Sequence, residues 1–127
     1  MLANEDAIAT IAVRDLERGR EFYGNALGLR ELTEPENPDV IIYESGKSKI
    51  QVYRSLYAGT NKATVATWAV DDVDAIVQAL RAKGVVFEHY DLPQLSLRGD
   101  VHVAENGFRV AWFKDPDGNV LSIVSAR

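Results

Sequence analysis

The 127-residue sequence predicts an α+β fold built from two tandem copies of one unit, each a strand, a helix and roughly three further strands. Three observations carry that expectation. Residues 65–72 (VATWAVDD) repeat residues 8–15 (IATIAVRD), with identity at five of eight positions. Beyond each copy, apolar residues recur at near-helical spacing until a glycine, Gly28 or Gly84, stops them. Near the C-terminus, Asp115-Pro116-Asp117-Gly118-Asn119 places dense turn chemistry between an apolar run ending at Phe113 and another starting at Val120, the pattern of a β-hairpin.

Taken in order, Ala7 to Val13 is short, apolar and partly β-branched, and reads as a strand. Asp15 stands where an N-cap belongs, and Leu16, Phe22, Tyr23 and Leu27 trace one face of a helix over Leu16 to Leu27. A polar loop with Pro35 and Pro38 follows. Val40 to Glu44 and Lys49 to Arg54 then form a hairpin around Ser45-Gly46-Lys47, and Ser55 to Lys62 connects the two copies. The second copy opens at Val65 and continues into a helix from about Val73 to Lys83. Its strands are expected at Val85 to Tyr90, Phe108 to Phe113 and Val120 to Val124, with a loop over Asp91 to Asn106 that could hold a short strand near Val101 to Ala104. Pro116 suits the turn, and Gly118 and Asn119 tolerate positive φ. The chain therefore reads as one domain, 1–127, with module one about 1–57 and module two about 63–127. Each copy alone is too small to bury a helix and a sheet; side by side they would do so and leave a curved sheet with an open face.

Composition narrows the function classes. The absence of cysteine excludes disulfides and thiolate zinc sites, and the acidic start Glu5-Asp6 is unlike a signal peptide; a cytoplasmic location without a membrane is expected. A net charge of −5 with scattered basic residues argues against a nucleic-acid partner. No phosphate-binding glycine loop, Gly-x-Ser-x-Gly elbow or His-Glu-x-x-His motif is present. The carboxylates Asp71, Asp72 and Asp74 fall at a helix start, where they complement its dipole.

Asp15-Leu16-Glu17-Arg18-Gly19-Arg20-Glu21-Phe22-Tyr23 with Leu27-Gly28-Leu29, the repeat at Val70-Asp71-Asp72-Val73-Asp74, and Phe113 to Asn119 resemble the vicinal oxygen chelate superfamily. That group holds glyoxalase I, bleomycin- and fosfomycin-resistance proteins and extradiol dioxygenases. Phe87-Glu88-x-Tyr90-Asp91-Leu92-Pro93 and Ala111 to Asp115 resemble a glyoxalase-like subgroup. The resemblance implies two tandem βαβββ modules forming a curved mixed sheet with a central cavity, and commonly a homodimer. It also implies a divalent metal held by His or Glu at matching places in the two modules. Those positions fall here at Ile8, Gln51, Val65 and Ser122, none of them a usual ligand for a hard cation.

The expectation that follows is a metal-independent small-molecule binding protein, without a cofactor, that takes an apolar or aromatic ligand in the sheet cavity. Alternation places Ile8, Thr10, Ala12, Val65, Thr67 and Ala69 on the cavity face, with Val110, Trp112, Ser122 and Val124, and with Ile41, Tyr43, Gln51 and Tyr53. Trp112 would stack on the ligand, and Tyr53 adds a second ring. Thr10, Gln51, Thr67 and Ser122 would orient it. Trp68 points the other way, into the core. Two rival readings stand beside this one. The first is a glyoxalase- or dioxygenase-like enzyme, with a metal relocated to His89 or His102 with Glu105 or Asp100, or with metal-free acid–base chemistry. The second is a structural or regulatory homodimer whose cavity is filled by its own side chains.

Overall fold

The computed structural model describes residues 1–32 and 38–126; Pro35, in the polar loop, lies outside them. Strand β1 (Ala9–Val13) leads into a helix capped by Asp15, whose carboxylate accepts from the Glu17 and Arg18 amides. That helix is α-helical only over Leu16–Gly19 (α1). Arg20–Ala26 winds as a π-helix, with Leu27 N–H donating to Phe22 O at 2.9 Å. Two successive aromatics of this segment meet the second half of the chain: the Phe22 ring lies 6.2 Å from Phe113, and the Tyr23 hydroxyl reaches Asp115.

Strands β2 (Arg30–Leu32), β3 (Val40–Ser45) and β4 (Ser48–Arg54) complete a four-stranded mixed sheet in the order β1-β4-β3-β2, with β1 parallel to β4. The second half repeats the plan. Strand β5 (Thr64–Val70) is followed by α2 (Val73–Ala82), capped by Asp72 accepting from Ala75 N, and Val73, Val77 and Leu80 bury one helical stripe. Then come β6 (Phe87–Glu88), β7 (Leu95–Arg98), β8 (Val101–Ala104), β9 (Arg109–Lys114) and β10 (Val120–Ser125). Their order is β5-β10-β9-β8-β7, with β6 also pairing β9, and β5 runs parallel to β10. β2 and β7 went unpredicted, β8 formed where a short strand could fit, and the expected strand Val85 to Tyr90 shrinks to two residues.

One core joins both sheets. Ile11, Val13, Ile41, Tyr43, Ile50 and Val52 from the first sheet cluster with Phe87, Val101, Val103, Ala111, Phe113, Leu121 and Ile123 from the second. Two expectations change here. The two-residue turn Gly46-Lys47 pairs Ser45 with Ser48, which sets Ile41 opposite Val52 and Tyr43 opposite Ile50. Ile41 and Tyr43 thus belong to the core rather than the cavity face. Trp68 packs half-buried against the core as expected, stacks on Phe113 at 6.5 Å and donates from Nε1 to Ser45 Oγ at 2.9 Å.

The Asp115–Asn119 turn latches the two halves. Asp115, almost fully buried, accepts from Tyr23 OH at 2.7 Å, from the Asp117 and Asn119 amides at 2.9 Å and from Asn119 Nδ2 at 2.8 Å. Asn119 Nδ2 also donates to Ala12 O at 2.7 Å, and its Oδ1 accepts from Gly59 N at 3.3 Å. Gly118 takes the positive φ the turn requires, whereas Asn119 does not. Asn119 contributes its side-chain amide instead.

Burial and the neighbouring Asp115 charge push the Tyr23 phenol far above its usual range, and burial pushes that of Tyr43 up to about 12. An unfolded chain releases these protons near pH ~10. Above that value the folded state binds more protons than the unfolded one, so stability is full below about pH 10 and falls above it. The slope is about 1.4 kcal/mol per pH unit for each tyrosine. Urea unfolding between pH 8 and 12 should show that fall. Tyr43→Phe should make it shallower and, because the Tyr43 hydroxyl is buried with no partner among the described residues, should raise stability at pH 7 by about 1 kcal/mol. A destabilised Tyr43→Phe protein at pH 7 would contradict this.

Candidate ligand-binding face

The faces turned away from the core carry matching rows of side chains. In the first sheet the pairing aligns Thr10, Gln51 and Ile42, with Ala12, Tyr53 and Val40 beside them. In the second it aligns Thr67, Ser122, Trp112 and Glu88, with Ala69, Val124, Val110 and His102 beside them. Strand equivalence puts Gln51 and Ser122 at corresponding places, each beside a threonine. Each pair is closed: Gln51 Nε2 donates to Thr10 Oγ1 at 3.1 Å, and the Thr67 and Ser122 hydroxyls share a hydrogen bond at 2.8 Å. Thr10, Tyr53 and Thr67 are exposed, Gln51 and Trp112 are half-buried and Ser122 is buried. A concavity of about 860 Å³ opens elsewhere, along Pro93, Leu95, Arg98, Val103, Glu105 and Asn106.

Two of the positions that the resemblance assigns to a metal lie off these rows. Ile8 precedes β1 and is exposed, and a β-bulge between Val120 and Leu121 breaks the alternation opposite Val65, which packs against the core instead of facing outward. The other two, Gln51 and Ser122, are neutral and already hydrogen-bonded to threonines. With neither a carboxylate nor an imidazole among the four, this donor set does not fit the divalent metal that the resemblance implies.

His89 and His102 part company. His89 Nε2 lies 2.7 Å from Asp100 Oδ1, and Arg81 approaches the other oxygen of that carboxylate at 3.3 Å. His102 turns to the peptide of Tyr90. Among the described residues no three His, Asp or Glu side chains converge as a metal site. The cluster Asp71, Asp72 and Asp74 stays at its helix start, with Asp74 paired to Arg109 at 3.2 Å.

Two residues of this face escaped the sequence reading as face residues. Glu88 stands next to Trp112 and meets Lys114 at 3.5 Å. His102 is fully buried, its ring 4.9 Å from Trp112 and nearly perpendicular to it, with Tyr90 over both. The alternation Val101-His102-Val103 was the available signal, since two valines claim the core and leave His102 the other face. The Tyr90 ring already shields part of Trp112, in the direction of the filled-cavity reading, yet about a third of Tyr90 remains exposed.

Residues 6–123 match the Glyoxalase/Bleomycin resistance protein/Dioxygenase superfamily. The chain belongs to that superfamily. It is similar to the lactoylglutathione lyase of Haemophilus influenzae, with 29% identity over 126 residues, covering 90% of this chain and 87% of that protein. Among solved structures it resembles a glyoxalase family protein from Enterococcus faecalis (TM-score 0.73, 18% identity, 98% of this chain and 100% of that one). It also resembles a bleomycin-binding protein complexed with bleomycin (TM-score 0.72, 17% identity, 98% and 100%). Both structural likenesses speak for the superfamily fold, and the two sheets of four and six strands are its two halves. No helix among the described residues is long and apolar enough to cross a membrane.

Proposed function

We propose that this member of the superfamily is a cytoplasmic, metal-independent binding protein for an apolar or aromatic small molecule, working as a homodimer. The observation that carries this reading is the pair of closed contacts Thr10–Gln51 and Thr67–Ser122. Where relatives with metal chemistry need ionisable ligands, these side chains are neutral and satisfy one another, leaving hydroxyls and an amide that orient a ligand without attracting a cation. Trp112 supplies the stacking surface and Tyr53 a second ring. The bleomycin-binding structure lends support as a relative with a bound small molecule. Because Thr10, Tyr53 and Thr67 lie exposed, a second copy laid over the open faces would enclose them. The likeness to a lactoylglutathione lyase supports the rival reading of an enzyme, with a metal relocated to His89 or His102 or with metal-free acid–base chemistry.

The test has three parts. Elemental analysis after incubation with manganese, iron, nickel or zinc and desalting should find no stoichiometric ion; a retained ion lost on His89 or His102 substitution would establish the enzyme reading. Light scattering should give twice the mass of the 14.0 kDa chain. Planar aromatic compounds should quench tryptophan fluorescence, and Trp112→Ala should weaken their binding about tenfold or more. Undiminished binding in that variant would remove Trp112 from the site.

A further inference from the structure

Asn106 is the one asparagine of the chain that precedes a glycine; the residues following the others are Glu5, Ala26, Pro38, Lys62 and Val120. It stands exposed in the turn between β8 and β9, which the Ala104 N–H closes on Phe108 O at 2.8 Å. Three features of that turn bear on its side-chain amide. The Phe108 N–H donates to Asn106 Oδ1 at 3.0 Å, turning the side-chain carbonyl toward the chain that follows it. Negative charge collects on that oxygen when a nucleophile adds to Cγ, so the donor is placed where it lowers the barrier. Gly107 has φ of +89° and nothing within 4 Å of the place a Cβ would take, so no side chain crowds its nitrogen. The Gly107 N–H itself donates to Ala104 O at 2.9 Å. Reaction at that nitrogen therefore begins with a local opening of this one bond, at an exposed hairpin end where such openings cost little.

We propose that Asn106 is a site of spontaneous modification, losing its side-chain amide through a cyclic imide and leaving aspartate or isoaspartate in the β8–β9 turn. The Gly107 nitrogen gives its proton to solvent base and forms a bond to Asn106 Cγ; the Cγ–Nδ2 bond breaks, and ammonia leaves with a proton from solvent. Water then opens the ring. Cleavage at Cγ gives aspartate, and cleavage at the main-chain carbonyl of Asn106 gives isoaspartate; nothing is oxidised or reduced. Either product adds a negative charge beside Glu105, on the edge of the concavity that both residues line. Isoaspartate also adds a carbon to the main chain between the strand of His102 and that of Trp112.

Two other residues of the chain serve as controls. Asn61 is also exposed and its Oδ1 accepts from Ala63 N at 2.9 Å, the same side-chain geometry, but Lys62 follows it. Asp117 precedes Gly118, but its carboxylate accepts from the Arg14 N–H, and the Gly118 N–H donates to Asp115 O at 3.0 Å within the latch. The purified wild-type protein is held in mildly alkaline buffer, sampled over weeks and cut with trypsin. The peptide 99–109 should gain the mass difference between an amide and an acid about tenfold or more faster than 55–62 does, at a rate that rises with pH. A carboxyl methyltransferase specific for isoaspartate should label 99–109 and leave the peptide containing Asp117 unlabelled. Asn106→Gln, whose longer side chain would have to close a larger ring, should abolish both signals at 99–109. Equal rates at Asn61 and Asn106, or signals that survive in Asn106→Gln, would overturn the proposal. So would a native protein that stays unmodified at Asn106 while the urea-unfolded chain reacts there, since the Gly107–Ala104 bond would then forbid the chemistry.

Discussion

Asp115→Ala should cost this protein about 4 kcal/mol of unfolding free energy, a large share of what a domain of this size possesses. The carboxylate is almost fully buried and accepts four hydrogen bonds: from Tyr23 OH, from the Asp117 and Asn119 amides and from Asn119 Nδ2. Removing it strands all four donors where water has little access, and each stranded group costs on the order of 1 kcal/mol or more. Asp115→Asn should be nearly as damaging, because its NH₂ would face donors. Tyr23→Phe, which deletes one donor and leaves three in place, should cost only about 1 kcal/mol. Urea unfolding of the three variants decides the matter. A loss under 2 kcal/mol for Asp115→Ala would show that the latch is dispensable.

The second large effect is expected at Gly59, in the connection between the two halves. A Cβ built there would lie 1.9 Å from the backbone oxygen of Asp117, and the residue has φ of +73°. Neither neighbour is a flexible side-chain end that could yield, since the Asp115–Asn119 turn is held from several sides. Gly59→Ala should therefore cost about 3 kcal/mol or more, combining backbone strain with displacement of the turn. Gly118→Ala separates the two contributions. Gly118 also has positive φ, +91°, but open space where its Cβ would stand, so only the conformational part, about 1–2 kcal/mol, should be lost. Equal losses in the two variants would mean that the close approach at Gly59 is relieved at little cost. Asp115→Ala should partly mask Gly59→Ala, because a loosened turn can move away from the new methyl group.

The site and the latch differ in how far they could be read in advance. Thr10 and Thr67 could be grouped by alternation along the repeated strand, Ser122 by counting forward from the Asp115 turn, and Gln51 as its counterpart in the first half. The pairing then places them in two equivalent contacts. Ile41 and Tyr43 could not be placed this way. In Val40-Ile41-Ile42-Tyr43 both alternating sets are apolar, so the phase comes only from the partner strand and the tight turn joining them. His102 shows the same dependence: Tyr90, twelve residues earlier in the chain, meets both His102 and Trp112 only in the folded protein.

By itself, then, the sequence determined what depends on neighbours along the chain: the doubled strand–helix plan, the caps at Asp15 and Asp72, the Asp115 hairpin turn, and the neutral residues at Gln51 and Ser122. Tertiary structure decided what depends on atoms brought from afar. It wound residues 20–26 as a π-helix, brought Tyr23 to a buried Asp115 acceptor, and buried His102 with no partner for Nδ1 among the described residues. The physical reason is range: a cap or a turn is satisfied within a few residues, whereas the phase of an all-apolar strand and the partners of a buried polar atom are set by elements that meet only when the chain has folded.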